Sequence, residues 1–233
     1  MRIEPEKSSV SIVMIGKLNP AIFHPAWFLA NNLLNQSEYE DARIEIILNQ
    51  IAIFKVGEWL DVRVEPNRFI AVTTEPPFVR ISDLVCRTFG EALVHTPITR
   101  MGINRAVHFS VGDEGTRDKI GKMLAPQEAW GEWASDIAGK DPKKHGGMNT
   151  LSMQQIDLAD REAGFITAKV QPSNFIKNLC GIEMNVNDDY QLLNKESLNG
   201  AILMTEILSK HFDDSIRRSE WIIDQIMALK DKI

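Results

Sequence analysis

His108 sits in a run of alternating residues, and Asp113 and Glu114 follow just beyond it. A histidine with a carboxylate at hand is the chemistry of a general base held in one orientation. No Ser or Cys in a nucleophile motif stands near it, so the competing reading is a packed or edge histidine. His24, His95, His145 and His211 are the other histidines. No two of them pair at helical spacing, and a metal centre needs ligands that converge. No metal and no cofactor is expected from spacing. "VGDEGTRDK" (Val111 to Lys119) offers backbone amides ahead of a helix, as a phosphate cradle does. Its acids, Asp113 and Glu114, would repel a phosphate and suit the positive end of a helix instead.

Two further groups carry chemistry of recognition. Arg63, Arg68, Arg100, Arg105 and Lys169 lie in strand-like segments, where they form a basic patch on one sheet face or an array of solvated charges offset by Glu65. "EAWGEWA" places Trp130 and Trp133 one helical turn apart among polar and small neighbours. Such a pair is an aromatic anchor for a partner, or packing of a helix on a sheet. "KDPKKHGG" (Lys140 to Gly147) is a basic loop tip, able to neutralise phosphates or simply solvated.

The elements that must position these residues can be read from pattern. "SVSIVMIGKL" is β-branched and apolar, a buried strand. Pro25 suits the first turn of a helix running to about Leu34. "ARIEIILNQIAIFKVGEW" is one long strand or two broken near Asn49. "LDVRVEP" and "RFIAVTT" alternate, with Val62 and Val64 to one side and Arg63 and Glu65 to the other. In "FVRISDLVCRTFGEALVH", Leu84, Val85, Phe89 and Leu93 share a helical face, capped by Ser82 or Asp83. The second half repeats the order. "ITRMGINRAVHFSV" is a strand, and the helix after it breaks at Pro126. Three strands follow, "TLSMQQIDLA", "GFITAKVQP" and "GIEMNVND". The C-terminal segment is a long helix with a stripe of Leu198, Ile202, Ile207, Phe212, Ile216, Ile223 and Met227.

"VEPNRFI" (Val64 to Ile70) and "VQPSNFI" (Val170 to Ile176) share Val, Pro, Phe and Ile at the same offsets. With the repeated element order this predicts an internal duplication. The expected fold is α+β: two pseudo-symmetric halves, 1–96 and 97–233, in one compact unit. Each reads strand, helix, antiparallel strands, helix, and a long C-terminal helix closes the chain. Pro66 and Pro172 are expected in equivalent turns.

That layout resembles the duplicated architecture of TATA-binding-protein-like folds. No DNA-contacting motif of that family is present, and the acidic charge departs from its DNA-binding members. "VRVEPNRFIAVTTEPPFVRISDL" followed by "ITRMGINRAVHFSV" is similar to a sporadically distributed family of uncharacterised bacterial proteins. Arg100, Gly102, Asn104 and Arg105 stand in that family's "R-x-G-x-N-R"-like strand. The resemblance implies no particular activity.

Composition bounds the rest. The chain has 233 residues, 44% hydrophobic and 25% charged, with a formal net charge of −6. That is ordinary globular usage, and the acidic balance disfavours nucleic acid and anionic membrane as partners. Cys86 and Cys180 are too few for a disulfide framework and read as buried thiols in a reducing compartment. The N-terminus lacks the apolar core of a signal peptide, no apolar run reaches a membrane span, and a cytoplasmic location is expected. The reading that fits is a non-enzymatic protein-interaction module of a bacterial or phage system, binding another protein or itself. The alternatives are nucleic-acid binding through a local basic sheet face, and an enzyme with a distributed site near His108.

Overall fold

In a computed structural model of the chain, residues 1–139, 146–194 and 199–233 are described. Nine strands form one antiparallel sheet: β1 (Lys7–Gly16), β2 (Ala42–Leu48), β3 (Ile51–Val56), β4 (Leu60–Glu65), β5 (Arg68–Thr73), β6 (Ile98–Ser110), β7 (Leu151–Gln155), β8 (Gly164–Pro172) and β9 (Gly181–Gln191). Their spatial order is β2-β3-β4-β5-β1-β6-β9-β8-β7. Among the described residues the helices are α1 (Pro25–Ala30), α2 (Gln36–Glu40), α3 (Val79–Arg87), α4 (Glu114–Leu124), α5 (Trp133–Ala138) and α6 (Gly200–Met227). The fold is α+β with a long C-terminal helix, as the sequence predicts.

Alternation in the strands decides which side the helices take. Val10, Ile12 and Met14 of β1 are fully buried, as are Ile103 of β6 beside Ile12 and Ala71 of β5 on its other flank. Successive side chains in a strand point to opposite faces, so these residues all share one face. Phe28 of α1, Ile81 and Val85 of α3, and Met204 and Leu208 of α6 pack there. A second cluster joins Val107, Ile182 and Met184 to Ile120 of α4 and to Ile223 and Met227 of α6. α6 therefore spans both clusters. Burying its stripe removes apolar area from water at roughly 25 cal/mol per Å². Among the described residues, the centre of the opposite face is an open hollow lined by strand residues alone, including Val13, Gly102, Asn104, Thr167 and Asn187.

Several boundaries differ from expectation. α1 stops at Ala30, not near Leu34, because Asn32 takes a positive φ of 55° and turns the chain toward α2. β2 and β3 are separate strands, turning at Asn49 and Gln50. α3 starts at Val79, so Ser82 and Asp83 lie within it and neither caps it. Leu84, Val85 and Phe89 are buried as predicted, the last on a wider π-type turn that follows α3. The seam of α6 runs through Met204, Leu208, Phe212, Ser215, Ser219 and Ile223. Ile202, Ile207 and Ile216 are only half-buried beside it, because the small residues Ala201, Thr205, Ser215 and Ser219 take the inner positions of the seam instead. Leu198 lies outside the described residues, as do Lys140 to His145 of the "KDPKKHGG" segment.

The two copies of the repeated heptapeptide fall in different settings. Pro66 and Asn67 form a two-residue turn closed by the Glu65–Arg68 pair. Pro172 ends β8 opposite Ile182, and residues 173–180 form a longer connection. Phe69 is consequently a buried β5 residue, whereas Phe175 lies in the connection and is 53% exposed. The two prolines are therefore not in equivalent turns as expected: Pro66 opens a two-residue turn, whereas Pro172 is still a paired strand residue, because the second connection is longer and starts later.

Candidate functional site

The uncovered sheet face holds most of the residues singled out from sequence, and it sorts them differently. Arg63 is exposed on β4, as alternation predicts, with its Nε 2.8 Å from Glu65 Oε1. Arg68 Nε lies 2.9 Å from the other oxygen of the same carboxylate. Hydrogen bonds from Arg68 and Arg63 hold the Glu65 carboxyl below its usual range. Arg100 Nε is 2.5 Å from Asp189 Oδ2, and its guanidinium lies over the Phe165 ring. Lys169 is exposed on β8.

Arg105 does not belong to this patch. It is 3% exposed and points to the helix side, where Nη1 donates to Ser8 Oγ at 2.7 Å and Nε to Glu220 Oε1 at 3.2 Å. The cause is parity. Arg105 lies two residues from Ile103 and from Val107, both buried, so it shares their face; Arg100 and Asn104 take the other. The "R-x-G-x-N-R" stretch is thus split between the two sides of one strand. The expected five-residue basic patch reduces to three carboxylate-paired arginines and Lys169.

At the centre of the same face stand three asparagines to which the sequence reading gives no role; Asn104 enters it only within the "R-x-G-x-N-R" stretch, and Asn185 and Asn187 not at all. Asn104 of β6 pairs directly with Asn187 of β9, and Asn185 lies two positions along β9. All three are half-buried. Among the described residues none of their side-chain amides has a hydrogen-bond partner within the chain. A Cβ on Gly102 would come within 2.6 Å of Asn187 Oδ1, so the absent side chain makes room for that amide. Asparagine is disfavoured in strands, and each amide brings two donors and an acceptor. Such local inconsistency is expected where function overrides folding. The signal was legible in "NVND" and "GIN", which place asparagines on the polar side of alternating strands.

His108 lies on the open face near its edge, across from Lys7 and Glu183. Its Nδ1 is 2.9 Å from Ser173 Oγ. That oxygen also accepts from the backbone N–H groups of Phe175 and Ile176, at 3.1 and 3.2 Å. With both lone pairs used, Ser173 donates its O–H to His108, which fixes a neutral ring with the proton on Nε2. Glu183 approaches the same Nδ1 at 4.0 Å, so serine and carboxylate do not flank opposite ring nitrogens as a relay requires. Asp113 is not the expected orienter. It caps α4 through Thr116 N at 2.9 Å and Thr116 Oγ1 at 2.8 Å.

Burial, helped by Lys7 and opposed by Glu183, lowers the His108 pKa below the ordinary histidine value. The unfolded chain then binds more protons than the folded one as pH falls. The stabilising contribution is complete above about pH 6.5 and is lost as pH drops through the folded pKa. The wild type is expected to lose melting temperature below pH 6.5 more steeply than His108→Gln. Equal slopes in paired melts would contradict this.

Trp130 and Trp133 are 56% and 57% exposed, with ring centroids 5.5 Å apart in an edge-to-face contact. They lie on the surface, as their polar neighbours suggest. Cys86 is half-buried, Cys180 is buried, and both are free thiols.

A buried ionic network was also missed. Asp188, 0% exposed on the helix side of β9, accepts from Arg161 Nη1 at 2.5 Å, Ser215 Oγ at 2.8 Å and Arg218 Nη1 at 3.0 Å. Because Ser215 donates to the carboxylate, the Tyr190 hydroxyl donates to Ser215, at 3.0 Å. The Arg161 guanidinium lies 3.6 Å from the centre of the Tyr190 ring, a cation–π contact. Arg218 Nη2 reaches Asp160 at 2.6 Å, and hydrogen bonds from Arg161 and Arg218 hold the Asp160 carboxyl far below its usual range. The network pins the β7–β8 connection and β9 to α6.

Among the described residues, no three His, Cys, Asp or Glu side chains gather as a metal ion would need, and no helix is long and apolar enough to cross a membrane. No protein-family model matches the chain, and no curated protein matches it.

Proposed function

We propose that the chain is a non-enzymatic interaction module that docks a protein partner on the uncovered face of its sheet. One observation carries this reading. α1, α3, α4 and α6 pack on one side, and at the open centre of the other side three asparagine amides stand without partners among the described residues. Val13, Ile15 and Ile70 flank them on β1 and β5, half-buried. A face that mixes aliphatic area with unspent amides suits a protein surface. Nucleic acid is the weaker reading, since Arg105 faces inward and the other arginines are carboxylate-paired.

The same proposal includes the duplication, with halves 1–96 and 97–233 related by a two-fold axis between Ser11 and Asn104. The register supports it. Outward from Ser11 the paired residues are Val72 and Asp61; outward from Asn104 they are Asn187 and Thr167. Two residues beyond Asp61 and Thr167 stand Arg63 and Lys169, then Val64 and Val170, then Pro66 and Pro172. That reproduces the alignment of the repeated sequence up to the prolines.

The test compares proteins captured by the wild type, by Asn104→Ala/Asn187→Ala, and by Arg63→Glu/Lys169→Glu. Losing hydrogen bonds worth about 0.5–1.5 kcal/mol each should weaken capture roughly tenfold or more in the first variant. The charge reversal should weaken it mainly at low salt, where screening reaches about 10 Å at 0.1 M. Both variants should melt like the wild type, since surface changes usually cost within about 0.5 kcal/mol. Undiminished capture by the asparagine variant, or capture of nucleic acid in place of protein, would overturn the reading.

A further inference from the structure

The two edges of the sheet are chemically unlike. β2 carries Arg43 and Glu45, and its register is broken between Ile44 and Ile46. Charges and bulges are devices that stop an edge strand from pairing with another chain. β7 has neither. From Met148 to Ile156 the sequence "MNTLSMQQI" contains no charge, no proline and no glycine. β7 pairs only with β8, and among the described residues its outer backbone has no partner. Met153 and Ile156 are 66% and 67% exposed. An uncharged edge in unbroken register, with exposed apolar side chains, is a template for a further strand.

We propose that β7 pairs antiparallel with β7 of a second copy, centred on Met153, so that two sheets become one continuous sheet. The strand is complementary to itself in this register. Ser152 meets Gln154 on the open side, Leu151 meets Gln155 on the helix side, and Met153 meets its own copy at the axis. No like charges face each other, and every side chain keeps its face, which a slip of one residue would reverse. The symmetry also closes. A two-fold contact uses both β7 edges and leaves only the blunted β2 edges outside, so assembly stops at the dimer. A foreign peptide added at an edge takes its specificity from pockets for alternate side chains. Here the central position is occupied by Met153, projecting into solvent. This inference is independent of the partner proposed for the open face.

Sedimentation velocity of the full chain over a concentration series tests it, with hydrogen exchange of the same samples. The wild type is expected to pass from one chain to two as concentration rises, and the outward-facing amides of β7 should slow their exchange in parallel. Met153→Lys sets two ammonium groups opposite each other at the seam. It is expected to stay a single chain throughout with an unchanged melting temperature. The proposal is overturned by a wild type that never dimerises, by a dimer that survives Met153→Lys, or by a dimer lost only in Trp130→Ala/Trp133→Ala. Should Met153→Lys melt early, the exchange of β7 in the wild type decides: no slowing with concentration would equally overturn it.

Discussion

Asp188→Asn is expected to lower the melting temperature by on the order of 10 °C. Removing one partner of a buried ion pair costs about 3–5 kcal/mol, and each kcal/mol is worth about 2–4 °C for a domain of 150–250 residues. Asp188 is fully buried, and it is the carboxylate on which Arg161, Arg218 and Ser215 converge. Asparagine fits the space but leaves two guanidinium groups short of a charge. Arg161→Met should then be less damaging in the Asp188→Asn background than in the wild type, because neighbours in one network are not additive. Urea unfolding of the two singles and the double measures that coupling. A loss below about 1 kcal/mol for Asp188→Asn would mean that water reaches the network and screens it.

Phe23→Ala should be comparably severe, at about 3–5 kcal/mol. Phe23 sits in the short turn before α1, 1% exposed, and its ring lies 5.6 Å from Phe69, 5.8 Å from Trp27, 6.3 Å from Phe89 and 6.4 Å from Phe28. It joins β5, α1 and the turn after α3 in one aromatic cluster. Truncation removes a large apolar area and opens a space that tilted rings cannot close without leaving their own contacts. Phe23→Leu should recover most of the loss, since it refills much of the volume. A denaturation midpoint for Phe23→Ala near that of the wild type would show that the cluster collapses freely.

Strand alternation made the faces of β4 legible: Val62 and Val64 are buried and Arg63 is exposed, as read. The same rule, applied to "INRAVHF", would have turned Arg105 inward. Charge drew the eye to a patch where parity should have decided. The helix boundaries were harder, because Asn32 and the start of α3 depend on local backbone geometry that composition does not encode. The Asp188 network was not legible at all. Its members come from residues 160–161, 188–190 and 215–218, and only the folded chain brings these segments together. The three asparagines were visible as residues, yet their meaning depends on knowing that no helix covers their face.

Asp188 and Asp189 are neighbours on β9 and point to opposite sides of the sheet. One is held by Ser215 and Arg218 of the terminal helix, the other by Arg100 on the open face. The two sides are therefore tied through the single peptide unit that joins these residues. The geometry is that of a rivet through the sheet: one head is the Arg100–Asp189 pair, and the other is the seat of Asp188 on α6.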